Sequence, residues 1–408
     1  MHVAVVAEWY PSPADSVLGV WAHRQAVAAR DAGAEVRVIA MRRPIPPLSA
    51  LRATLRGGSR TGPLRDWAAG VRATPRAWEL DGIAVESVRF VAPPRPLSYG
   101  SWGHWMAPPL GRALSRLHAR WSLDVVHAHS LVPPGFAAAR WESGAGAPRP
   151  ALVVSTHGPD VIHVAGASAL AARATRTALD AADLVMANSR WAARRCEQIS
   201  GRTLPVEVVH LGADIPPAGV EPRPRPALVT VAHLVERKHH ETVLRALARL
   251  HGPIAPDYVV IGDGPCLEPL RALVRELGLE GRVEFRGQLE HGRALAEMGR
   301  CAVFVMPGVE EPFGVAFVEA MAAGLPAIGG RGEGGPEDIA AAGGGMVLVE
   351  PGDAAALART IDDVLASPER LRALGESARE TVRRSFTWAR CGEATVAAYD
   401  RACRAARA

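Results

Sequence analysis

Residues 215–226 contain five prolines and separate two series of alternating apolar strands and helices. A stretch this rich in proline forms neither a helix nor a central strand, because proline fixes φ and has no amide hydrogen to donate. It predicts a semi-rigid linker at residues 216–227. We therefore expect two main domains, one at residues 1–215 and one at residues 228–385.

The order of elements is the same on both sides of the linker. Val3–Ala7 is an apolar run that predicts a strand, and it is followed by a helix over residues 22–32 and a strand over residues 34–40. Strands are predicted again at residues 228–232 and 258–261, with a helix between them. This alternation is typical of parallel, doubly wound sheets. We predict an α/β chain with two Rossmann-like domains facing across a cleft, where a ligand would bind.

Composition argues against several other classes of protein. The 408 residues are 48% hydrophobic and 22% charged, an ordinary globular balance. The net charge of +5 is too mild to indicate a nucleic-acid partner. The five cysteines are far apart, so neither a disulfide framework nor a metal site is expected, and a reducing cytoplasm fits. With no long apolar run and no basic leader, neither a membrane span nor a signal peptide is predicted.

Residues 42–76 carry eight arginines against a single acid, Asp66. A basic segment with interspersed apolar residues is typical of contact with an anionic membrane or a lipid-linked substrate. A solvated insertion would have the same composition, because runs of charge usually face water. We expect a cytoplasmic protein in which residues 42–76 would make any peripheral contact with the inner membrane face.

Residues 310–321 combine two carboxylates with the start of a short helix. Pro312 disfavours helical backbone at Glu311, which is therefore predicted in a loop, while Glu319 lies on the helix. Unpaired N–H groups at such a helix start favour a phosphate. These groups belong to Phe313, Gly314 and Val315. A purely structural acidic helix start would share this pattern, because acidic residues stabilise the helix dipole.

Other candidate ligand contacts come directly after predicted strands. Gly19 closes the loop after the first strand, and His157 follows an apolar strand of the same half. Lys238, the only lysine in the chain, lies in the loop after the first strand beyond the linker. Ligands of doubly wound sheets bind at the carboxyl ends of strands. A plain glycine turn and a structural histidine would occur at the same places, so those alternatives stay open.

Motifs of other enzyme classes are absent or incomplete. The sequence at residues 262–264 lacks the third glycine of a dinucleotide fingerprint, and there is neither a Walker lysine motif nor a G-x-S-x-G elbow. Eight residues of helix would separate Glu311 from Glu319 by roughly 12 Å, which does not suit a glycosidase pair. A nucleotide sugar, with two phosphates and two sugar rings, would use the lysine, the helix start and both carboxylates.

Together these motifs resemble those of the retaining glycosyltransferases of the GT-B fold, family 4, over nearly the whole chain. The resemblance rests on the Gly19 loop, residues 124–129, 156–160, 182–189 and 231–238, the E-x7-E motif of Glu311 and Glu319, and the glycine-rich loop before Glu337. It implies a metal-independent transferase that uses a UDP- or GDP-sugar as co-substrate and no other cofactor. By the same resemblance, residues 1–215 would be an acceptor-binding domain and residues 228–385 a nucleotide-sugar-binding domain, and residues 386–408 would return to the N-terminal domain as a helix.

The resemblance also implies roles for individual residues. Glu311 would hold hydroxyls of the donor sugar, Glu319 the ribose and Lys238 the diphosphate. His157 would lie over the donor sugar near the acceptor, and Gly19 would let the first loop approach the phosphates. The remaining donor contacts would be Leu289 near the base and the backbone N–H groups of Phe313, Gly314 and Val315.

His233 departs from the family pattern, which commonly has arginine five residues before the lysine. Histidine is a weaker, pH-dependent phosphate partner, so a weaker diphosphate contact is expected there. The acceptor stays open among a small molecule, a lipid-linked sugar and a polysaccharide, because a fold does not fix a substrate. The alternatives are a catalytically silent GT-B subunit that supports a partner and a phosphorylase of the same fold.

Overall fold

The computed structural model describes residues 1–46, 62–144, 149–216, 220–250, 255–332 and 334–407. The chain divides into two compact units. The first comprises Met1–Asn188, Ala192–Val209 and Cys391–Ala408, and the second comprises Ser189–Trp191 and His210–Arg390. The domain boundaries drawn from the sequence at residues 215, 228 and 386 stay predictions.

The first unit is built on one sheet. Its strands are β1 (His2–Ala7), β2 (Glu35–Arg42), β3 (Ala77–Leu80), β4 (Ile83–Arg89), β5 (Val125–His129), β6 (Ala151–Thr156), β7 (Leu184–Ala187) and β8 (Val206–Val208). They lie in the order β3-β4-β2-β1-β5-β6-β7-β8, with only the β3–β4 pair antiparallel. Strands β5 and β6 are buried along their whole length, as is typical of parallel strands covered on both faces.

The edge hairpin β3–β4 was not identified in the sequence. Its strands are joined by Asp81 and Gly82, with φ of 48° and 76°. A two-residue turn with positive φ at both positions matches the right-handed twist of the strands, and Asp-Gly is a favoured sequence for it. The Asp-Gly pair was therefore the available signal for this hairpin.

The second unit is built on a fully parallel sheet. Its strands are β9 (Ala227–Val231), β10 (Asp257–Ile261), β11 (Val283–Gly287), β12 (Val303–Met306), β13 (Ala327–Gly330) and β14 (Met346–Val349). They lie in the order β11-β10-β9-β12-β13-β14. The order changes direction at β9 and β12, and loops that follow such neighbouring strands form the ligand site of doubly wound folds. Lys238 and Glu311 lie in those two loops.

Helices connect the strands of both sheets. Those of eight or more residues are α1 (Val20–Asp31), α2 (Gly62–Ala73), α3 (Trp102–Arg120), α4 (Ala169–Ala181), α5 (Arg190–Ser200), α6 (His240–Leu247), α7 (Leu267–Glu276), α8 (His291–Gly299), α9 (Val315–Ala322), α10 (Gly334–Ala342), α11 (Ala354–Val364), α12 (Pro368–Ser385) and α13 (Trp388–Arg407). In the parts of the chain that the structure describes, none of the helices is long and apolar enough to cross a membrane.

Helix α3 contains two consecutive prolines in its interior. A proline usually interrupts the helical hydrogen bonds on its N-terminal side. In the structure, Pro108 and Pro109 both lie inside the helix. Trp102, Met106 and Leu110 recur every four residues and are buried, so their burial outweighs the lost hydrogen bonds.

The basic segment 42–76 is only partly a solvated insertion. Residues 47–61 lie outside the described part of the chain, and α2 occupies most of residues 62–76. Arg42 donates from Nη2 to the carbonyl oxygen of Tyr10 at 2.6 Å, and Arg43 donates from Nε to that of Ala92 at 2.8 Å. These two arginines hold neighbouring loops of the first unit and are not free surface charges.

Candidate active site

Lys238 and Glu311 form an ion pair in the second unit. Lys238 closes the short turn Glu236–Lys238 after β9, and Glu311 lies in the loop between β12 and α9. Both side chains are about nine-tenths buried. The structure therefore brings two of the predicted site residues together, although they are 73 positions apart. Burying two charges is costly even when they are paired, so the pair contributes little net stability.

Arg237 fixes the loop that carries Glu311. The amide of Val309 donates to the carbonyl oxygen of Arg237 at 2.8 Å, and Nη1 of Arg237 donates to that of Glu310 at 3.0 Å. Glu310 has a positive φ of 52°, which L side chains rarely adopt outside glycine and asparagine. Arg237 thus accepts one hydrogen bond and donates another, and the two hold the backbone turn that directs Glu311 toward Lys238.

The start of α10 lies against the same loop. The amide of Gly335 donates to the carbonyl oxygen of Glu311 at 3.0 Å. A Cβ at Gly335 would lie 1.8 Å from the carbonyl oxygen of Phe313, so no other residue fits there without a backbone shift. Gly314 is the N-cap of α9, which begins at Val315 as the sequence predicted. The N–H groups that were predicted to bind phosphate thus belong to a loop against which Gly335 packs.

Sequence analysis did not identify the cluster that supports Phe313. The Phe313 ring is buried and stacked on His210, with ring centroids 5.5 Å apart. His210 Nε2 lies 3.1 Å from the carboxylate of Asp338, which also accepts from the amide and Nε of Arg190. Burial would raise the pKa of Asp338, but the hydrogen bonds from His210 and Arg190 outweigh it and hold that pKa below its usual value. No local pattern marks these residues, because they come from three distant segments.

Glu319 and Leu289 lie near a histidine that the sequence analysis did not single out. The Glu319 carboxylate, which is mostly buried, is 2.8 Å from Nε2 of His291 at the start of α8. Leu289 precedes His291 by two residues and is half-buried in the loop after β11. Leu289 therefore belongs to the segment that reaches Glu319, and its contact with a base stays a prediction.

His233 is exposed in the loop after β9. We expect His233→Arg to retain donor affinity or to raise it by up to about tenfold, because a guanidinium forms stronger hydrogen bonds to a phosphate than imidazole does. The dissociation constant of the nucleotide sugar, measured by calorimetry for both proteins, checks this. A large loss of turnover in His233→Arg would contradict it.

Two histidines of the first unit form a neutral pair. His129 ends β5, and His157 lies just beyond the adjacent strand β6. Nδ1 of His129 is 3.1 Å from Nε2 of His157, and the rings are parallel, with centroids 5.2 Å apart. Burial lowers the pKa of His157 well below its ordinary value, with a smaller contribution from His129, and it lowers the pKa of His129 to about 3. Both rings are therefore uncharged near neutral pH.

The neutral pair leaves one nitrogen of each ring unused. Among the described residues, neither Nε2 of His129 nor Nδ1 of His157 has a hydrogen-bond partner. Trp21 packs on His157 with ring centroids 4.1 Å apart and also lies 5.8 Å from the His129 ring. His127 has a structural role instead, because it is fully buried between the hydroxyls of Tyr399 on α13 and Ser155 on β6.

His129 is expected to orient His157. His129→Phe keeps a ring against His157 but removes the Nδ1 hydrogen bond, so we expect turnover to fall roughly ten- to hundredfold, because small misplacements of reacting groups have large effects. Donor affinity should not change, and His129→Asn should restore part of the activity, because its amide can replace Nδ1. Steady-state kinetics of the three proteins check this. Equal losses in His129→Phe and His129→Asn would contradict it.

A cavity of about 540 Å³ opens beside His157 within the first unit. Gly19, the N-cap of α1, lies in its wall with φ 77°. A Cβ at this glycine would lie 2.2 Å from the carbonyl carbon and oxygen of Trp9, so the first loop can pass this closely only with glycine. Gly19 thus lies at the edge of a ligand-sized cavity, and its place beside the donor phosphates stays a prediction.

Within the described ranges, no group of three or more histidine, cysteine, aspartate or glutamate side chains could hold a metal ion.

Comparison with known sequences gives matches along most of the chain. The family model described as Glycosyltransferase Family 4 matches residues 18–215, and the model described as Glycosyl transferases group 1 matches residues 214–381. A GDP-mannose-dependent alpha-(1-6)-phosphatidylinositol monomannoside mannosyltransferase of Mycobacterium tuberculosis is 30% identical over 69% of this chain and 77% of its own length. The 2-deoxystreptamine glucosyltransferase of Streptomyces kanamyceticus is 30% identical over 73% of this chain and 82% of its own length.

Solved structures show the same fold. Sucrose-phosphate synthase from Thermosynechococcus elongatus superimposes with a TM-score of 0.75 at 20% identity, covering 98% of both chains. Anabaena HepE in complex with UDP and glucose superimposes with a TM-score of 0.66 at 20% identity, covering 97% of this chain and 98% of its own. With two parallel sheets, these structural neighbours and the matches in sequence, the chain belongs to the family 4 glycosyltransferases, the glycosyl transferases group 1, enzymes of the GT-B fold.

Proposed function

We propose that the second unit binds a nucleotide-diphosphate sugar through Lys238, Glu311 and Glu319. Lys238 and the N–H groups at the start of α9 would hold the diphosphate, because an ammonium and a helix start both favour phosphate. Glu311 would accept hydrogen bonds from the donor sugar and Glu319 from the ribose. The buried Lys238–Glu311 pair carries this proposal, because it places a cation for phosphate and an anion for hydroxyls side by side.

A family 4 glycosyltransferase transfers a sugar from such a donor to an acceptor hydroxyl with retention of configuration. In our proposal, Lys238 stabilises the negative charge that grows on the diphosphate as its bond to the anomeric carbon breaks. The acceptor oxygen bonds to that carbon on the same face, and its proton passes to the departing phosphate oxygen. We also propose that His157 of the first unit contacts the donor sugar and that Gly19 lies beside the phosphates.

We propose a GDP-hexose as the first donor to test. Several relatives are named as GDP-mannose-dependent enzymes, and a UDP-sugar is the other donor that the family match allows. The acceptors in the relatives' names range from a phosphatidylinositol mannoside to the water-soluble 2-deoxystreptamine. Contact of the basic segment 42–76 with a membrane also remains part of the proposal, and cosedimentation with anionic vesicles would test it.

The test is a thermal-shift and donor-hydrolysis screen with GDP-mannose and a series of UDP-sugars. A donor at one hundred times its dissociation constant is expected to stabilise the protein by about 2.7 kcal/mol. The shift should disappear in Lys238→Ala, slow hydrolysis should disappear in Glu311→Ala, and both should persist in Arg271→Ala, which changes an exposed residue of α7. No shift with any donor would favour the alternative of a catalytically silent subunit. A shift with UDP-sugars alone would show that the donor carries uridine and not guanosine.

A further inference from the structure

The guanidinium of Arg95 lies at the edge of the cavity beside His157 with its hydrogen-bond donors unused. Its Cζ is 4.7 Å from the ring centroid of Trp9 and 4.3 Å from that of Tyr99. Over the described residues, this guanidinium makes no hydrogen bond or ion pair, although the side chain lines the cavity. Aromatic faces hold a guanidinium in place by cation–π attraction and leave the N–H groups at its edge available.

The acidic neighbour of Arg95, Glu8, forms its hydrogen bond with Tyr99. The Glu8 carboxylate accepts a hydrogen bond from the Tyr99 hydroxyl at 2.7 Å, and that contact fixes the ring on which Arg95 packs. Burial raises the pKa of Glu8, while Tyr99, Arg95 and Arg43 lower it, so Glu8 and Arg95 interact electrostatically. Arg43 itself is engaged with a backbone carbonyl. Arg95 is thus the cation of this group that remains open to a ligand.

The carboxylate of Asp160 in the cavity wall is also fully engaged. It accepts hydrogen bonds from the amides of Leu131 and Gly158 and from the hydroxyl of Thr156, at 2.7–3.2 Å. The hydrogen-bonding positions of Asp160 are therefore used by the protein itself. Arg95 supplies the guanidinium of the cavity lining.

The remaining walls suit a hydroxylated ring. Trp21 presents an aromatic surface beside His157, and serine side chains contribute hydroxyls to the lining. A volume of about 540 Å³ accommodates a ring of sugar size with one substituent. A polyol ring can thus lie against Trp21 with a hydroxyl near His157, while a charged substituent reaches Arg95.

We infer that the acceptor of this transferase is a polyol that carries a phosphate ester, and that Arg95 binds this phosphate. The inference rests on the proposed function, because it places the acceptor in the cavity beside His157. A guanidinium fork matches two phosphate oxygens, and a positively charged site selects against aminated acceptors. The phosphate belongs either to a soluble polyol phosphate or to the headgroup of a lipid.

The inference predicts a charge preference that depends on Arg95. Binding of myo-inositol 1-phosphate, glycerol 3-phosphate and mannose 6-phosphate is measured by calorimetry against the three unphosphorylated compounds and 2-deoxystreptamine. We expect at least one phosphate to bind about 10- to 100-fold more tightly than its neutral partner. Arg95→Gln should abolish that preference, Arg95→Lys should keep part of it, and Arg120→Gln, at an exposed position on α3, should leave it unchanged.

Separate outcomes test the inference and the function on which it rests. Donor hydrolysis without acceptor tests the transferase, and its absence would overturn the proposed function whatever the acceptors show. Three results would each overturn the inference. They are tighter binding of the neutral compounds or of 2-deoxystreptamine, equal binding of the phosphorylated and unphosphorylated compounds, and a preference for the phosphate that survives Arg95→Gln. Vesicles containing phosphatidylinositol, compared with phosphatidylcholine alone, then separate a lipid headgroup from a soluble phosphate as the source.

Discussion

Lys238→Met is expected to lower donor turnover by about 10²–10³-fold, the usual effect of removing a group that stabilises transition-state charge. The same change should destabilise the fold by roughly 3–5 kcal/mol, because it removes the cation paired with the buried Glu311 carboxylate. Steady-state kinetics and urea denaturation measure the two effects separately. Methionine keeps most of the side-chain volume, so a cavity does not contribute to the loss.

The double variant Lys238→Met/Glu311→Gln is the decisive control. It removes both charges, so stability should return most of the way to that of the unaltered protein, while turnover should stay as low as in the single variants. This separation would show that the pair has a catalytic role. Normal turnover in Lys238→Met, or recovery of activity together with stability in the double variant, would contradict the assignment of Lys238 to the diphosphate.

Gly335→Ala is expected to weaken donor binding by about a hundredfold. Its Cβ would lie 1.8 Å from the oxygen and 2.2 Å from the carbon of the Phe313 carbonyl, so the loop that leads into α9 must move. Displacing a binding loop by about 1 Å is enough for an effect of this size. Calorimetric titration with the nucleotide sugar measures the change, and circular dichroism shows whether the second unit stays folded.

Gly281→Ala is the matched control, because a Cβ there would meet no atom within 4 Å. It belongs to the same unit and makes the same chemical change, so it should bind the donor with unchanged affinity. If Gly335→Ala binds the donor as tightly as Gly281→Ala does, the packing of α10 against the Phe313 carbonyl is not what positions the start of α9.

The sequence predicted the architecture well because strands and helices leave periodic patterns. The apolar runs at Val3–Ala7 and residues 228–232 became β1 and β9, and the E-x7-E stretch became a loop followed by α9. Family membership and the GT-B fold, which the motifs implied, are confirmed by the family models and the solved structures. The roles of individual site residues stay predictions, although Lys238 and Glu311 lie in contact.

Local patterns were misleading where distant contacts decided the outcome. Helix α3 continues through Pro108 and Pro109, because burial of one face is worth more than the hydrogen bonds those prolines remove. Arg42 and Arg43 belong to a run of charge that looks solvated, yet both hold backbone carbonyls of the first unit. In each case the deciding partner is not adjacent in the sequence.

The sequence by itself determined which segments are strands and helices and which residue types come after the strands, because periodicity and turn chemistry act over a few residues. Only the tertiary structure decided the pairings within each unit: His129 with His157 and Arg95 between Trp9 and Tyr99 in the first, and Asp338 with His210 in the second. A contact between distant residues depends on the packing of whole elements, and one short segment carries no information about its partner.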